Sequence, residues 1–232
     1  MNKIIFILLL NTIFSFAQTD FNKLDEKGQK HGLWKGFFDD SKRLRYDGTF
    51  DHGKEIGTFN YYDDTKESSL IGVRSFDLKE NSVYTTFYDQ KKNIVSEGKS
   101  INKLREGNWK YYHEAALELM TLENYKLGKL EGLRTVYFKN GVIAEEMNYK
   151  NGIKAGKYKK LTEKGIVLET VAYKNNEYDG LAVYKDPDNN IVAQGLYKNG
   201  KKIGIWKFFK NGKFDSQTNF NFQGKKFAKR KK

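Results

Sequence analysis

The side chains best suited to metal or acid–base chemistry in this sequence are three histidines and a few clustered acids. His31, His52 and His113 stand far apart along the chain, and none has a second ligand at metal-binding spacing. The stretch 186–190, DPDNN, resembles the start of a calcium loop, which needs glycine at its sixth position and glutamate at its twelfth. Ile191 and Tyr197 stand there instead. We therefore predict solvated loop histidines, a hairpin turn at 186–190 and no metal site.

The sequence also lacks the usual motifs for nucleophilic catalysis and for phosphate binding. The chain has no cysteine, which excludes thiolate catalysis and disulfides, and it has no Gly-x-Ser-x-Gly or Gly-x-Gly-x-x-Gly segment. The acid pairs Asp39-Asp40 and Asp63-Asp64 lie at predicted turns, where aspartate is favoured for backbone reasons. We predict a protein that is not an enzyme and that has no cofactor and no small-molecule substrate.

The formal net charge is +13, but the basic residues are unevenly distributed. The last eight residues, KKFAKRKK, hold six of them, whereas the other lysines are mostly interleaved with acids. A nucleic-acid-binding protein shows a concentrated basic face, so we do not expect that partner. The tail is either a disordered end that protects the last strand edge, or a contact for anionic lipid or cell-wall polymer. It comprises Lys225, Lys226, Lys229, Arg230, Lys231 and Lys232.

The first residues predict export. Lys3 precedes an apolar run from Ile4 to Phe16, and Ser15-Phe16-Ala17 supplies the small residues that a signal peptidase needs. The run is short for a membrane span, which needs about 20 residues. We expect a signal helix at 1–17, a lead-in segment at 18–31, and a mature chain that is periplasmic, associated with the cell envelope or secreted. An uncleaved anchor is the alternative.

The three tryptophans indicate a repeat. Each stands two residues after a glycine and directly before a lysine, in GLWK from 32, GNWK from 107 and GIWK from 204. Their separations, 75 and 97 residues, divide into units of 24 to 25, and self-similarity at a fixed period marks a repeat architecture. We predict about eight units over 32–224, followed by the tail at 225–232. They begin at Gly32, Gly57, Val83, Gly107, Gly132, Gly156, Gly180 and Gly204.

Each unit contains two short strands. In the copy that begins at Gly132, residues 133–138 and 142–149 are rich in β-branched and aromatic residues, and Asn140-Gly141 between them predicts a type I′ hairpin turn. Asn-Gly recurs at 151, 199 and 211. The segment 113–122, HEAALELMTL, has the composition of a helix, but its alignment with the neighbouring unit favours a strand. Between 65 and 100 the unit glycine and the tryptophan are missing, so we expect a bulge or an insertion there.

These residues resemble the MORN repeat in its bacterial variant form. The matching pattern is the unit glycine, Trp or Tyr two residues later, further aromatics, an Asn-Gly turn, a hydrophobic pair, and Tyr-Lys-Asn-Gly as at 149–152. The resemblance covers 32–224 and is strongest in 132–212. It implies an all-β fold, an elongated single-layer twisted antiparallel sheet of consecutive β-hairpins, that contacts proteins or lipid and has no chemistry of its own. Such proteins are often labelled as antitoxins.

The second ring of each aromatic cluster is the best candidate for contact with a partner. Strand alternation sends Trp206 and Phe208 to one face and Ile205, Lys207 and Phe209 to the other. We predict that the tryptophan side is core and that the other rings form an extended binding face. The candidates are Phe37, Tyr88, Tyr112, Tyr137 and Phe209. The hypothesis is an exported scaffold that binds a protein, with antitoxin-like masking as one form of it; the alternative is attachment to the envelope through the rings and the basic tail.

Overall fold

The computed structural model describes residues 20–222, and these form one open antiparallel sheet of 19 strands. The strands are β1 Lys23–Leu24, β2 Lys30–Phe37, β3 Leu44–Asp51, β4 Lys54–Tyr62, β5 Leu70–Asp77, β6 Ser82–Tyr88, β7 Ile94–Ile101, β8 Leu104–Tyr112, β9 Leu119–Lys126, β10 Lys129–Leu130, β11 Gly132–Tyr137, β12 Ile143–Lys150, β13 Ile153–Leu161, β14 Val167–Lys174, β15 Glu177–Tyr178, β16 Gly180–Lys185, β17 Ile191–Lys198, β18 Lys201–Lys210 and β19 Lys213–Asn219. A single turn of 3-10 helix, Phe220–Phe222, follows the last strand. The expected all-β fold of consecutive hairpins is confirmed, whereas the expected signal helix and basic tail lie outside the described residues.

Strands pair with their sequence neighbours throughout the sheet. β9 pairs with both β10 and β11, and β14 pairs with both β15 and β16. In each case a single residue, Glu131 or Asp179, separates a two-residue strand from the longer strand that continues it. Within 20–222 no helix is long and apolar enough to span a membrane. The fold is therefore a meander, in which local turns set the register.

Three of the four Asn-Gly turns have the expected geometry. Asn151-Gly152, Asn199-Gly200 and Asn211-Gly212 have positive φ at both residues, as a type I′ turn requires. The type I′ prediction for Asn140-Gly141 is wrong, because only Gly141 has a positive φ. There the connection is a longer loop, closed by the backbone hydrogen bond from the Phe138 N–H to the Val142 carbonyl at 2.8 Å. The side-chain oxygen of Asn140 accepts the Val142 N–H at 3.1 Å, which holds the loop in this form.

The unit glycines mark points where the strand ladder is interrupted. All seven have positive φ, from 63° at Gly204 to 124° at Gly180, a conformation that side chains other than glycine rarely adopt. Val83 takes this place in the third unit, and there β5 and β6 pair without a register shift. The preceding connection, 78–81, has four residues, whereas the corresponding connection before each of the six units that begin at Gly57, Gly107, Gly132, Gly156, Gly180 and Gly204 has two. The insertion expected in this region is thus present, and it removes the need for a glycine.

Two further segments show how the sheet is built at its less regular points. β9 begins at Leu119, so the strand expected in HEAALELMTL is confirmed only for its last four residues. Its first six residues, 113–118, form the connecting loop, in which the His113 N–H donates to the Glu118 carbonyl at 3.0 Å. Part of the expected lead-in segment also joins the sheet, because β1 pairs with β2. The Trp34 indole N–H donates to the Lys23 carbonyl at 3.0 Å and ties this segment to the first hairpin.

The core lies on one side of the sheet, which we call the tryptophan face. Phe59 and Trp206 are fully buried and Trp109 is 4% exposed, whereas Trp34 in the first hairpin is half-buried. The prediction that the tryptophan side is core is therefore confirmed. Phe59, Trp109 and Trp206 each cover a glycine of the preceding strand, and a Cβ on that glycine would lie within 2.6 Å of ring atoms. Large rings over strand glycines thus replace a second layer of structure.

Candidate functional site

The five rings predicted as partner contacts occupy one position of the repeat, on the side opposite to the tryptophan face, which we call the outer face. Each lies near the end of the first strand of its unit and pairs with the start of the return strand. The pairs are Phe37 with Leu44, Tyr88 with Ile94, Tyr112 with Leu119, Tyr137 with Ile143, and Phe209 with Phe214. Phe37 is exposed and the other four are half-buried. The rings therefore form a row, but most of them are partly covered within the sheet.

A second row on the outer face is more exposed, and it is absent from the residues predicted from the sequence. It consists of the residue that directly follows each unit start, and this residue is exposed in all eight units. We call it the outer row. Its large apolar members are Leu33, Tyr84, Leu133, Leu181 and Ile205. The Gly-x-Trp spacing could have indicated the outer row, because strand alternation places residue x on the face opposite to the one that holds the buried tryptophan.

Apolar side chains of the outer face are continuous across β16, β17 and β18. Leu181 pairs with Leu196, and Leu196 pairs with Ile203. Leu181, Leu196 and Ile205 are 60%, 47% and 52% exposed. We call these three residues, together with Ile203, the apolar patch. Lys207 is exposed on the same face of β18 and contributes a positive charge beside the patch.

Acids of the outer face lie beside two of its tyrosines. The Tyr112 hydroxyl donates to Glu97 Oε1 at 2.7 Å, and Lys110 Nζ lies 3.4 Å from the same oxygen. Burial raises the pKa of Tyr112, and the hydrogen bond to Glu97 adds to the effect. Burial, together with the nearby Asp47 carboxylate, raises the pKa of Tyr62 to about 12. Both phenols are therefore neutral near pH 7, and the Tyr112 hydroxyl is held in place by its hydrogen bond to Glu97.

On the tryptophan face, each tryptophan is covered by a cation that stands four residues earlier. Lys30 Nζ lies 4.5 Å from the ring centroid of Trp34. The corresponding distances are 4.3 Å from Arg105 Cζ to Trp109 and 4.3 Å from Lys202 Nζ to Trp206. The sequence carries this signal as Lys/Arg-x-x-x-Trp, a pattern that was not among the predicted features. Cation–π contacts of this kind stabilise the fold by about 0.5–1 kcal/mol at exposed sites, so these lysines and arginine have a structural role.

Between Trp109 and Trp206 the same face holds a ladder of paired charges. Arg134 occupies the tryptophan position of its unit; its Nε donates to Glu123 Oε1 at 3.0 Å and its Nη1 to Glu145 Oε1 at 3.3 Å. The hydroxyls of Tyr125 and Tyr158 donate to the same two acids, at 2.7 and 3.3 Å. Burial raises the pKa of both tyrosines. The acids are satisfied by neutral donors and by Arg134, which is a structural arrangement.

A groove of about 920 Å³ opens on the tryptophan face of the first three hairpins. Its lining includes Lys30, Tyr46, Glu55, Tyr61, Arg74 and Phe76. Arg74 Nη1 donates to Glu55 Oε2 and to the Tyr61 hydroxyl, each at 3.3 Å. Arg74 is therefore already paired with an acid of the groove itself.

Two of the three histidines lie together, which their spacing in the sequence did not indicate. The ring centroids of His31 and His52 are 4.8 Å apart, and both side chains are exposed. His113 differs from the expectation of a solvated loop residue: it is half-buried, with its Nε2 at 3.1 Å from the Tyr137 carbonyl. The turn predicted at 186–190 is confirmed, since Asp186 Oδ1 accepts backbone N–H groups of Asp188 and Asn190.

Comparison with known proteins agrees with the repeat. Residues 130–151 match the model of a family described as the MORN repeat variant, which confirms the resemblance found in the sequence. A search of curated proteins finds no match. One solved structure that aligns with the chain is the crystal structure of a protein of unknown function from Bacteroides fragilis. It is 8% identical, covers 73% of this chain and 95% of that chain, and has a TM-score of 0.13, so it supports no inference about this protein.

Proposed function

We propose that this protein is an exported, non-catalytic scaffold that binds a protein partner on its outer face. The observation that carries the proposal is the apolar patch, in which Leu181, Leu196 and Ile205 are each about half exposed on three consecutive strands. Exposed apolar side chains that lie next to one another mark interaction sites more often than scattered ones do. A protein interface also needs an apolar centre with a polar rim, and exposed Lys207 lies beside the patch.

The repeat extends this surface along the sheet. Leu33, Tyr84 and Leu133 continue the outer row towards the N-terminus, and the half-buried rings at Tyr88, Tyr112 and the equivalent positions lie on the same face. Much of the opposite face is occupied by its own packing, because Trp109 and Trp206 cover glycines and the charges around Arg134 pair with one another. The partner should therefore be a protein that offers apolar side chains along an extended contact. Masking of a toxin would be one form of such binding.

Capture of partners from an envelope fraction tests the proposal. The test variant carries Leu181→Ser, Leu196→Ser and Ile205→Ser. The matched control carries Leu78→Ser, Leu117→Ser and Leu127→Ser, three turn leucines that are 66%, 80% and 69% exposed. A partner that the wild-type chain and the control retain, and that the patch variant loses, supports the proposal. A partner retained by the patch variant, with both variants folded by circular dichroism, would refute it.

The predicted rings need a separate variant, because their side chains are partly buried. Tyr112→Ala, Tyr137→Ala and Phe209→Ala together should weaken capture if these rings touch the partner. The envelope alternative rests on the tail from Lys225 to Lys232, which lies outside the described residues. Deletion of the tail should abolish sedimentation with anionic vesicles if that alternative is right, and it should leave protein capture unchanged if the outer face is the binding surface.

A further inference from the structure

His31, Asp51 and His52 form a cluster at the N-terminal end of the sheet. Among the described residues, they are the group whose ligand atoms all lie within 4.8 Å of one another. His31 Nδ1 is 3.6 Å from Asp51 Oδ1, and His52 Nε2 is 3.8 Å from the same oxygen. Donor atoms around a tetrahedral zinc ion are about 3.3 Å apart. Small rotations of exposed side chains would therefore bring the three donors to coordination distance.

The backbone fixes where the two histidines can be. Asp51 ends β3, and His52 and Gly53 form the two-residue turn that follows, with φ values of 45° and 80°. The Gly53 N–H donates to the Lys30 carbonyl at 2.8 Å, which holds this turn beside the start of β2. His31 is the next residue of β2. The cluster thus stands on paired strands and a tight turn, the type of support that keeps ligand geometry constant.

Asp25 orients the His52 ring by contacting Nδ1, the ring nitrogen that faces away from Asp51. The His52 Nδ1–H donates to Asp25 Oδ2 at 2.6 Å, and the Asp25 side chain is only 8% exposed. Asp25 is itself held, since its Oδ1 accepts the backbone N–H groups of Lys27 and Gln29 at 2.9 and 2.8 Å. With Nδ1 used as a donor, neutral His52 directs an unprotonated Nε2 towards Asp51. A carboxylate on the far nitrogen is the usual outer partner of a metal-binding histidine.

The other units show that this cluster departs from the repeat. In them, the residue before the unit glycine is often an acid whose side chain accepts the first N–H of the next turn. Glu106 accepts the Leu127 N–H at 2.9 Å, and Glu131 accepts the Asn151 N–H at 2.7 Å. In the first unit, His31 stands in the place of that acid and His52 in the place of that turn residue. The fold does not require histidine at either position, because the other units form the same turn without it.

We propose that His31, Asp51 and His52 bind one divalent transition-metal ion of the zinc type. Two imidazole nitrogens and one carboxylate oxygen suit Zn²⁺, and they leave a coordination position for water or for a group of another molecule. The ligand set is less suited to Mg²⁺, which prefers oxygen donors in octahedral geometry. Because the cluster lies at the surface, the ion would be accessible to solvent.

Zinc titration of the chain without an affinity tag, by isothermal calorimetry, tests this site. The wild-type chain should bind one Zn²⁺, and Mg²⁺ should not compete. His31→Gln and His52→Asn should each remove this binding; asparagine is the turn residue of other units, so His52→Asn should fold normally. Asp25→Asn should weaken binding about 10- to 100-fold, as loss of an outer partner does. His113→Gln, which changes the histidine outside the cluster, should bind as wild type.

Two results would overturn the proposal. One is the absence of saturable zinc binding by a wild-type chain that is folded by circular dichroism. The other is unchanged affinity in His52→Asn and His31→Gln, which would place the bound zinc elsewhere. If either histidine variant fails to fold, Asp51→Ala provides the same test, because it removes the carboxylate oxygen that faces both histidines and leaves both rings in place.

Discussion

Replacement of Gly98 by alanine should destabilise the protein strongly, because the Trp109 ring occupies the space that a Cβ would need. An added Cβ would lie 2.5 Å from Cγ of Trp109, whereas ordinary carbon contacts are about 3.5–4.0 Å. The indole would have to move by about 1 Å. It cannot do so freely, since its N–H donates to the Lys99 carbonyl at 2.9 Å and Arg105 covers it at 4.3 Å from the ring centroid.

The size of the effect follows from these contacts. Overpacking in a core costs about 1–3 kcal/mol, and loss of the indole hydrogen bond adds about 0.5–1.5 kcal/mol. We expect Gly98→Ala to lower the free energy of unfolding by about 2–4 kcal/mol. Gly72→Ala is the matched control, because Gly72 is a buried strand glycine whose added Cβ would meet no heavy atom closer than 3.7 Å. That change should be neutral or should stabilise by up to about 1 kcal/mol.

Urea unfolding followed by far-UV circular dichroism measures both variants, and hydrogen exchange shows whether the loss is confined to β7 and β8. In a Trp109→Ala background, Gly98→Ala should lower the free energy of unfolding much less, because the indole that would clash with the added methyl group is absent. The coupling energy of this double-mutant cycle should therefore be large. Equal midpoints for Gly98→Ala and Gly72→Ala, or strictly additive effects in the cycle, would refute the view that rings over glycines form the core.

Three further predictions follow from the charged and phenolic groups. Arg134→Met should lower the free energy of unfolding by about 1–3 kcal/mol, because the half-buried Glu123 and Glu145 lose their charged donor; a urea midpoint equal to wild type would contradict this. Lys202→Met should lower the free energy of unfolding by about 0.5–1 kcal/mol, since it removes the cation over Trp206. An unchanged melting temperature in thermal unfolding would contradict this. Tyr62 has a pKa of about 12, against 10.0 for an ordinary tyrosine, so its neutral form is favoured by folding. Its contribution to stability should be complete below pH 10 and lost as the pH rises towards 12. Tyr62→Phe should therefore weaken the pH dependence of the free energy of unfolding, measured by urea unfolding across this range. The same pH dependence in the wild-type protein and the variant would contradict this prediction.

The repeat made most of the fold predictable from the sequence. The Gly-x-Trp spacing and the Asn-Gly turns gave the hairpins and their order, and they also placed Trp206 on the buried face. The prediction of a type I′ turn at Asn140-Gly141 was wrong, because the Asn140 side chain accepts a hydrogen bond from the Val142 N–H and favours a longer loop. An Asn-Gly pair cannot show which of these two uses of asparagine will prevail.

The candidate surfaces were less predictable, because they depend on neighbours across strands. Exposure of Leu181 and Leu196 follows from their pairing with each other on the face opposite to the tryptophans. The pattern within one strand shows alternation but not what covers each side. Similarly, His31 and His52 meet through the pairing of β2 with β3 and through a turn bonded to Lys30. Spacing along the chain carries no information about such contacts.

Site-specific photocrosslinking tests the central claim, that the outer face binds a protein. A photoreactive amino acid at Leu33, Leu133 or Leu181 would report on the outer row. The same amino acid at Phe87 would report on the tryptophan face, where this ring is 43% exposed and pairs with Gly72. We predict protein adducts from the outer-row positions and none from Phe87. Adducts from Phe87 alone, or no adducts from any outer-row position, would contradict the proposed function.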